Sequence, residues 1–317
     1  METYLGFDFG GTKLLIGEMD GNGTILKQKR YDTGILSQKE AAKRLVSCAE
    51  DYVKREGFAG SPVAAGVGIM GIVDVNSGVW RTLNHLEFSD IPLAGELKEV
   101  TGLDTVIDND VKSATMAELK FGAGKISDNF IYVNIGTGLG AGIISGGKLI
   151  RGANNNAGEI GHIVVNRKNT VPCICGRTGC VEGLVSGMGI DSTARRMAKN
   201  MRTLLDTSDN GKRIDAREVF RLAQCGDEMC REIMKELVAE LRELLLNLVR
   251  TVDPDLIVFG GGIVSGDVLL DELKEEINCP TLSGLKHGMI KSVLDPTKIG
   301  LMGAATHAML KKEGTYI

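Results

Sequence analysis

Two well-separated segments of the chain share one design: a short apolar run, a glycine turn that carries a threonine, and a second short apolar run. The first is Tyr4-Leu5-Gly6-Phe7, then Asp8-Phe9-Gly10-Gly11-Thr12-Lys13, then Leu14-Leu15-Ile16-Gly17, with Gly21-Asn22-Gly23 as the next turn. The second is Phe130 to Ile135, then Gly136-Thr137-Gly138-Leu139-Gly140-Ala141-Gly142, then Ile143-Ile144. Apolar runs of this length bounded by glycine read as strands. Each segment therefore predicts a hairpin, and the repeat predicts two α/β halves of similar topology facing one another across a cleft. A chain of 317 residues also exceeds the size at which one core usually divides. The 42 glycines, roughly twice ordinary usage, gather at the ends of apolar runs instead of in a linker.

A strand, a glycine turn and a returning strand leave backbone N–H groups able to face an anion. Gly10 and Gly11 allow phosphate oxygens to approach, Thr12 adds a hydroxyl, Lys13 a charge, and Asp8 could hold Mg2+ through water. Alone, this turn fits a structural hairpin as well. It is not the dinucleotide fingerprint, because no helix follows. The second turn, with Thr137 and Gly138, repeats the arrangement and shifts the balance towards phosphate binding. A third cluster, Gly260-Gly261-Gly262, follows the strand Leu256 to Phe259 and precedes a helix expected from about Asp267. It could seat an adenine or ribose against backbone, and a plain strand-to-helix turn explains it equally.

Between the hairpins, Thr105 to Asp108 reads as a strand and Val111 to Phe121 as a helix, which puts Asn109-Asp110 at the helix entrance. An acidic residue there complements the helix dipole. It could also accept the proton of a substrate hydroxyl, with Asn109 on the adjoining hydroxyl, since an ordinary aspartate is ionised at neutral pH.

From Glu159 to Glu182 the chain carries His162, Cys173, Cys175 and Cys180, a set of sulfur and imidazole donors suited to structural zinc. Glycine-rich loops do not build cores, so core packing explains this spacing poorly. A disulfide is the alternative. The start of the chain does not resemble a signal peptide, so a reducing, cytoplasmic setting and zinc are expected. Such a metal would fix Glu159 and Glu182, carboxylates able to hydrogen-bond the hydroxyls of a polyol. Cys48, Cys225, Cys230 and Cys279 read as core residues without a role.

Net charge is −4, with a pI near 5.7. Basic residues are dispersed, the densest group being Lys27-Gln28-Lys29-Arg30, which points away from nucleic acid. No apolar run is long enough to span a membrane. Lys39 to Arg55 and Cys230 to Val249 read as helices, the latter with an apolar stripe at three-and-four spacing that belongs to core or a subunit interface, core being favoured. Gly303-Ala304-Ala305 is expected to open the last helix.

Together these motifs resemble the ROK family of bacterial sugar kinases and sugar-responsive repressors: Asp8 to Thr12, Asn109-Asp110, Gly136 to Gly138, Gly158-Glu159-Ile160-Gly161-His162, the cysteine segment ending in Glu182, and Gly260 to Gly262. The resemblance spans nearly the whole chain. It implies an actin-like ATPase fold of the hexokinase type, with ATP and sugar in an interdomain cleft. Asp110 becomes the catalytic base, while Asn109, Glu159, His162 and Glu182 bind sugar hydroxyls. His162 offers one ring nitrogen to zinc and the other to the sugar. Where related kinases carry a Gly-Pro-Gly turn and an Asn-Leu pair followed by Trp, this chain reads Gly68-Ile69-Met70-Gly71 and Leu83-Asn84-His85-Leu86-Glu87-Phe88. Gly71 and Asn84 are the matching sugar contacts. Glucose is the default substrate, with allose, fructose, mannose, N-acetylglucosamine and N-acetylmannosamine open. The intact Gly158-Glu159 step favours an unmodified hexose or N-acetylglucosamine, because N-acetylmannosamine kinases of the family often lack that glutamate.

The expected domains are 1–120 with 303–317, and 121–302 carrying the zinc loop. Relatives are often dimers or tetramers, which implies a homo-oligomer. The repressors carry an added N-terminal helix-turn-helix, and the phosphate hairpin begins here at Asp8, so a kinase is expected ahead of a catalytically silent sugar sensor. A zinc-stabilised ATPase without a sugar substrate is a third reading.

Overall fold

Three segments near the start pair into one sheet, the first two apolar and the third largely polar. In the structure, a computed structural model that describes residues 1–11, 13–34, 36–83, 88–208, 211–277 and 280–315, β1 (Glu2–Gly10), β2 (Lys13–Asp20) and β3 (Ile25–Asp32) form an antiparallel meander. β4 (Ser61–Ile69) and β7 (Thr105–Asn109) extend it in parallel on the other side of β1, in the order β3-β2-β1-β4-β7. The small ribbon β5 (Ile72–Asp74) and β6 (Val79–Thr82) lies between β4 and β7 in sequence. Leu5, Phe7 and Phe9 of β1 and Val67 and Ile69 of β4, alternate residues that share one face, are buried in the core, while Gly6 and Gly66 on the other face lie against the last helix.

One face packs on α1 (Gln38–Asp51) and α2 (Leu93–Thr101), through Ala41, Leu45, Cys48, Leu93 and Leu97. Ser37 starts α1 with a capping box, its side chain and that of Glu40 each taking the other's backbone N–H. α3 (Asp110–Phe121) and α9 (Ile299–Lys312) pack together, and α9 also lies on β1 and β4. A Cβ added at Gly66 would fall 1.9 Å from the carbonyl oxygen of Ala304, and one at Gly303 would fall 1.8 Å from that of Ser113. Hydrogen at these two positions is what lets α9 rest on the backbones of β4 and α3. α9 starts at Ile299 and not at the expected Gly303; the glycine is an interior contact residue, not a helix start.

The second sheet repeats the plan. β8 (Phe130–Ile135) pairs antiparallel with β9 (Leu139–Ser145) and parallel with β11 (Leu256–Gly260), which pairs parallel with β12 (Met289–Lys291). The two-residue β10 (Lys148–Leu149) completes the order β10-β9-β8-β11-β12. Helices α4 (Glu182–Val185), α5 (Gly187–Met197), α6 (Ala216–Gln224), α7 (Glu228–Val252) and α8 (Val268–Glu276) follow. Asp227 caps the start of α7, its carboxylate accepting from Cys230 N. Its stripe Ile233, Leu237, Leu241, Leu244 and Leu245 is fully buried in the core of this half. Cys225, expected in the core, is exposed, and Cys279 lies outside the described residues.

The chain divides into two units, Met1–Asp128 with Gly147–Ala157 and Val293–Ile317, and Asn129–Gly146 with Gly158–Ser292. These limits differ from the expected 1–120, 303–317 and 121–302. The last helix brings its leading segment from Val293 with it, and Gly147–Ala157 joins the first unit through hydrogen bonds of Arg151 and Asn155 to Asp108, which no local pattern announces. Among the described residues no helix is long and apolar enough to cross a membrane.

Candidate active site

The carboxyl ends of parallel strands carry most of the residues singled out in the sequence, the edge at which open α/β sheets bind ligands. In the first unit β1 ends at Gly10, β4 runs into Met70-Gly71, and β7 ends at Asn109 just ahead of Asp110. In the second unit β8 leads into Gly136-Thr137-Gly138, and β11 into Gly261-Gly262.

Asn109, not Asp110, is the N-cap of α3: its Oδ1 accepts from Val111 N at 3.0 Å and Lys112 N at 3.2 Å. Its Nδ2 donates to the Gly71 carbonyl at 3.3 Å, which ties the turn after β4 to the end of β7. Gly71 has φ 92°, and a Cβ there would lie 1.9 Å from the Thr82 carbonyl oxygen, so glycine is required. Asp110 is the first helical residue, and its Oδ1 accepts from Val111 N at 3.0 Å. On β1, Asp8 is part-buried. Burial, and then the negative charge of Asp110, push its pKa up to about 7. A buried carboxylate raised in this way by a neighbouring one fits a site for a divalent cation, whose charge would restore ionisation to Asp8. Gly10 and Lys13 pair across the first turn, Lys13 is exposed, and Gly11 lies 3.5 Å from the Met70 sulfur measured to an added Cβ. Thr12 and Asn84 lie outside the described residues.

Beneath this corner is a polar network that no sequence motif announces. Asp108 is fully buried. Its carboxylate accepts from Asn109 N at 2.8 Å, from Asn155 Nδ2 at 3.0 Å and from Arg151 Nη1, and lies 3.4 Å from His307 Nε2. The Asn155 carbonyl accepts from the buried Lys112 Nζ at 2.9 Å. Asn155 holds φ at 54°, which asparagine tolerates better than most residues. Burial works against the Asp108 carboxylate, but the neighbouring positive charge and the donors of Arg151 and Asn155 outweigh it and hold its pKa below the ordinary range. Burial pushes His307 down to about 4, against the pull of Asp108. Above that pH the countercharge to Asp108 is therefore that of Arg151. These partners come from segments 147–157 and 299–312, and nothing in the local sequence marks them.

In the second unit, His162, Cys173, Cys175 and Cys180 converge, with one ligand atom of each within 4.8 Å of the others. Cys173 Sγ is 3.4 Å from His162 Nδ1, and Cys175 Sγ is 3.6 Å from Cys180 Sγ. A tetrahedron with Zn–S bonds of about 2.3 Å has sulfur edges of about 3.8 Å, so the donor set fits zinc. All three thiols are free, not joined in a disulfide. Burial, and then the neighbouring sulfurs, push the Cys180 thiol up to about 12. Three adjacent thiols ionise together only beside a cation. The loop is also held to α7, whose buried Glu240 accepts from Asn169 Nδ2 at 3.0 Å and 3.2 Å and from Asn166 Nδ2 at 3.4 Å.

The metal set joins two segments that carry the predicted carboxylates. Glu159 opens the short turn Ile160–His162, and its Oε2 lies 4.0 Å from His162 Nε2, the ring nitrogen that does not face Cys173. Glu182 begins α4 two residues after Cys180, and its Oε2 accepts from Leu139 N at 2.9 Å. That bond fastens Glu182 to the second glycine turn, where a Cβ at Gly138 would lie 2.8 Å from the same oxygen. Thr137 is exposed on this turn. Gly261 approaches the Ile135 carbonyl, so the third glycine cluster lies beside the end of β8.

Comparison with known proteins agrees with these features. The chain is 30% identical over 294 residues to a glucokinase of Halalkalibacterium halodurans, covering 90% of this chain and 88% of that one. It is 31% identical over 277 residues to an N-acetylmannosamine kinase of Shigella flexneri, covering 86% and 87%. A ROK family glucokinase from Streptomyces griseus, solved in complex with glucose and AMPPNP, superposes with a TM-score of 0.79 at 29% identity, covering 97% of this chain and 99% of that one. The fold is the actin-like ATPase fold of the hexokinase type. The ROK family model matches residues 4–311, and the motif order, the repeated sheet plan and the four-donor cluster all lie within that span: the chain belongs to the ROK family.

Proposed function

We propose that this protein is an ATP-dependent kinase that phosphorylates a hydroxyl of a hexose. Asp110 at the start of α3, with Asp8 beside it, is the observation that carries the reading. In the proposed reaction the sugar oxygen attacks the γ-phosphorus of ATP, its proton passes to the Asp110 carboxylate, and ADP leaves. Phosphoryl transfer asks mainly for alignment and charge stabilisation. Asp110 orients the attacking oxygen, and Asn109 and Gly71 fix that corner through their mutual hydrogen bond. Gly10, Gly11, Thr12, Lys13, Thr137 and Gly138 take the phosphates, and Gly261 and Gly262 take the nucleoside. Magnesium bound through Asp8 would supply positive charge to the phosphates.

Glu159, His162 and Glu182 bind the sugar hydroxyls, with Asn84 as a further contact. Zinc, held by His162, Cys173, Cys175 and Cys180, would supply rigidity only. Similar identity to a glucokinase and to an N-acetylmannosamine kinase leaves the sugar to be decided by the pocket. The Gly158-Glu159 step favours an unmodified hexose, glucose by default, or N-acetylglucosamine. The deciding experiment is ADP release over a panel of hexoses and N-acetylhexosamines. Turnover with glucose or N-acetylglucosamine is expected; sugar binding without turnover across the panel would mark a sensor, and sugar-independent ATP hydrolysis the third reading.

A further inference from the structure

The second glycine turn has a neighbour that the motif does not contain. Arg213 Nη1 donates to Thr137 Oγ1 at 3.1 Å, across a long stretch of sequence. Both ends of this contact are fastened to α5. At its start, Gly187 N donates to the Gly136 carbonyl at 2.9 Å and Met188 N to that of Thr137 at 3.2 Å. One turn further on, the Asp191 carboxylate accepts from Ile214 N at 2.9 Å and from Arg195 Nε at 3.1 Å. Arg195 then donates to the carbonyls of Thr207, Ser208 and Lys212 at 3.0, 3.0 and 2.8 Å. The backbone leading into Arg213 is thus held by α5, and the same helix holds the turn that Arg213 reaches.

We infer that Arg213 is a nucleotide-binding residue that pairs with the phosphate oxygens of ATP at the Gly136–Gly138 turn. Gly136, Thr137 and Gly138 offer amides and a hydroxyl but no cation, whereas a nucleoside triphosphate brings several negative charges. A guanidinium has five N–H donors in a planar fork suited to phosphate, and the contact with Thr137 occupies one. Arg213 is exposed, so it stands open to a ligand that lands on the exposed Thr137. The inference rests on the reading of this turn as a phosphate site and adds to it a charge from a different part of the chain.

The test is a binding series by calorimetry with adenosine, AMP, ADP and ATP, on the native protein and on Arg213→Ala and Arg213→Lys, without sugar. Losing a charge-assisted contact is expected to weaken ATP by about tenfold or more, with the loss growing with phosphate number and adenosine unaffected. Lys at 213 is expected to recover part of the affinity, since it keeps the charge and loses the fork. Unchanged ATP affinity in Arg213→Ala, or an equal loss for adenosine and ATP, would overturn the assignment. A protein that binds ATP through Arg213 yet phosphorylates no sugar defeats the kinase reading and keeps this one. An active kinase whose ATP affinity ignores Arg213 does the reverse, and a native protein that binds no nucleotide defeats both.

Discussion

Asp110 has two jobs open to it, and the structure separates them. Asn109 carries the cap of α3, so Asp110 is spared most of the structural duty that its place at the helix entrance suggests. Asp110→Asn keeps an acceptor for Val111 N and removes the base. General-base catalysis is worth about 10²- to 10⁴-fold in rate, so kcat is expected to fall by that order while the sugar dissociation constant holds. A parallel loss of sugar binding, read by calorimetry, would make Asp110 a structural residue. Asn109, Asp110 and the glycines of both turns are legible in sequence because each sits in a contiguous motif. Arg151, Asn155, His307 and Arg213 are not, because each reaches its partner from a distant segment and has no repeating pattern around it.

Among elements, the loop between His162 and Glu182 has the most to lose from one change. Little of it is regular structure, and its order rests on the four-donor set, on Glu240 and on a few backbone bonds such as that from Val181 N to the Ile163 carbonyl. Cys175→Ser is expected to lower the bound zinc measured by atomic emission, to expose residues 163–181 to limited proteolysis, and to raise the sugar KM more than it lowers kcat. Native protein purified without zinc, with this loop equally protected, would remove the metal from the account. Donor spacing made this element readable. Helix starts were harder: Gly300 and Gly303 lie inside α9 because hydrogen is needed against Asp8 and Ser113, so residues that resemble a boundary are points of contact.

For the whole molecule, the buried pair of Asp108 and His307 links stability to acid. His307 stays neutral in the folded protein down to about 4, whereas in the unfolded chain it takes up a proton near 6.5. Between those values the unfolded chain binds more protons, so this contribution is complete above pH 6.5 and is lost as pH falls towards 4. Asp108, held below its ordinary value, acts in the same direction at still lower pH. Asp8 opposes them: raised to about 7, its contribution is present at low pH and is lost as pH rises through 7. In Asp8→Asn, without added magnesium, the urea midpoint is therefore expected to drop steadily between pH 6.5 and 4. A flat midpoint over that range would mean that His307 is not held neutral by burial.

The closing helix has a further consequence for how the protein is made. β1 and β4 are made before α9, yet α9 is the surface that covers them, with the Ala304 carbonyl resting on Gly66. Most of the second unit, Gly158–Ser292, is synthesised as one continuous stretch before that helix exists. The nascent chain therefore carries an uncovered apolar sheet face until α9 has been made, so the first unit completes its packing only after the chain of the second has been synthesised.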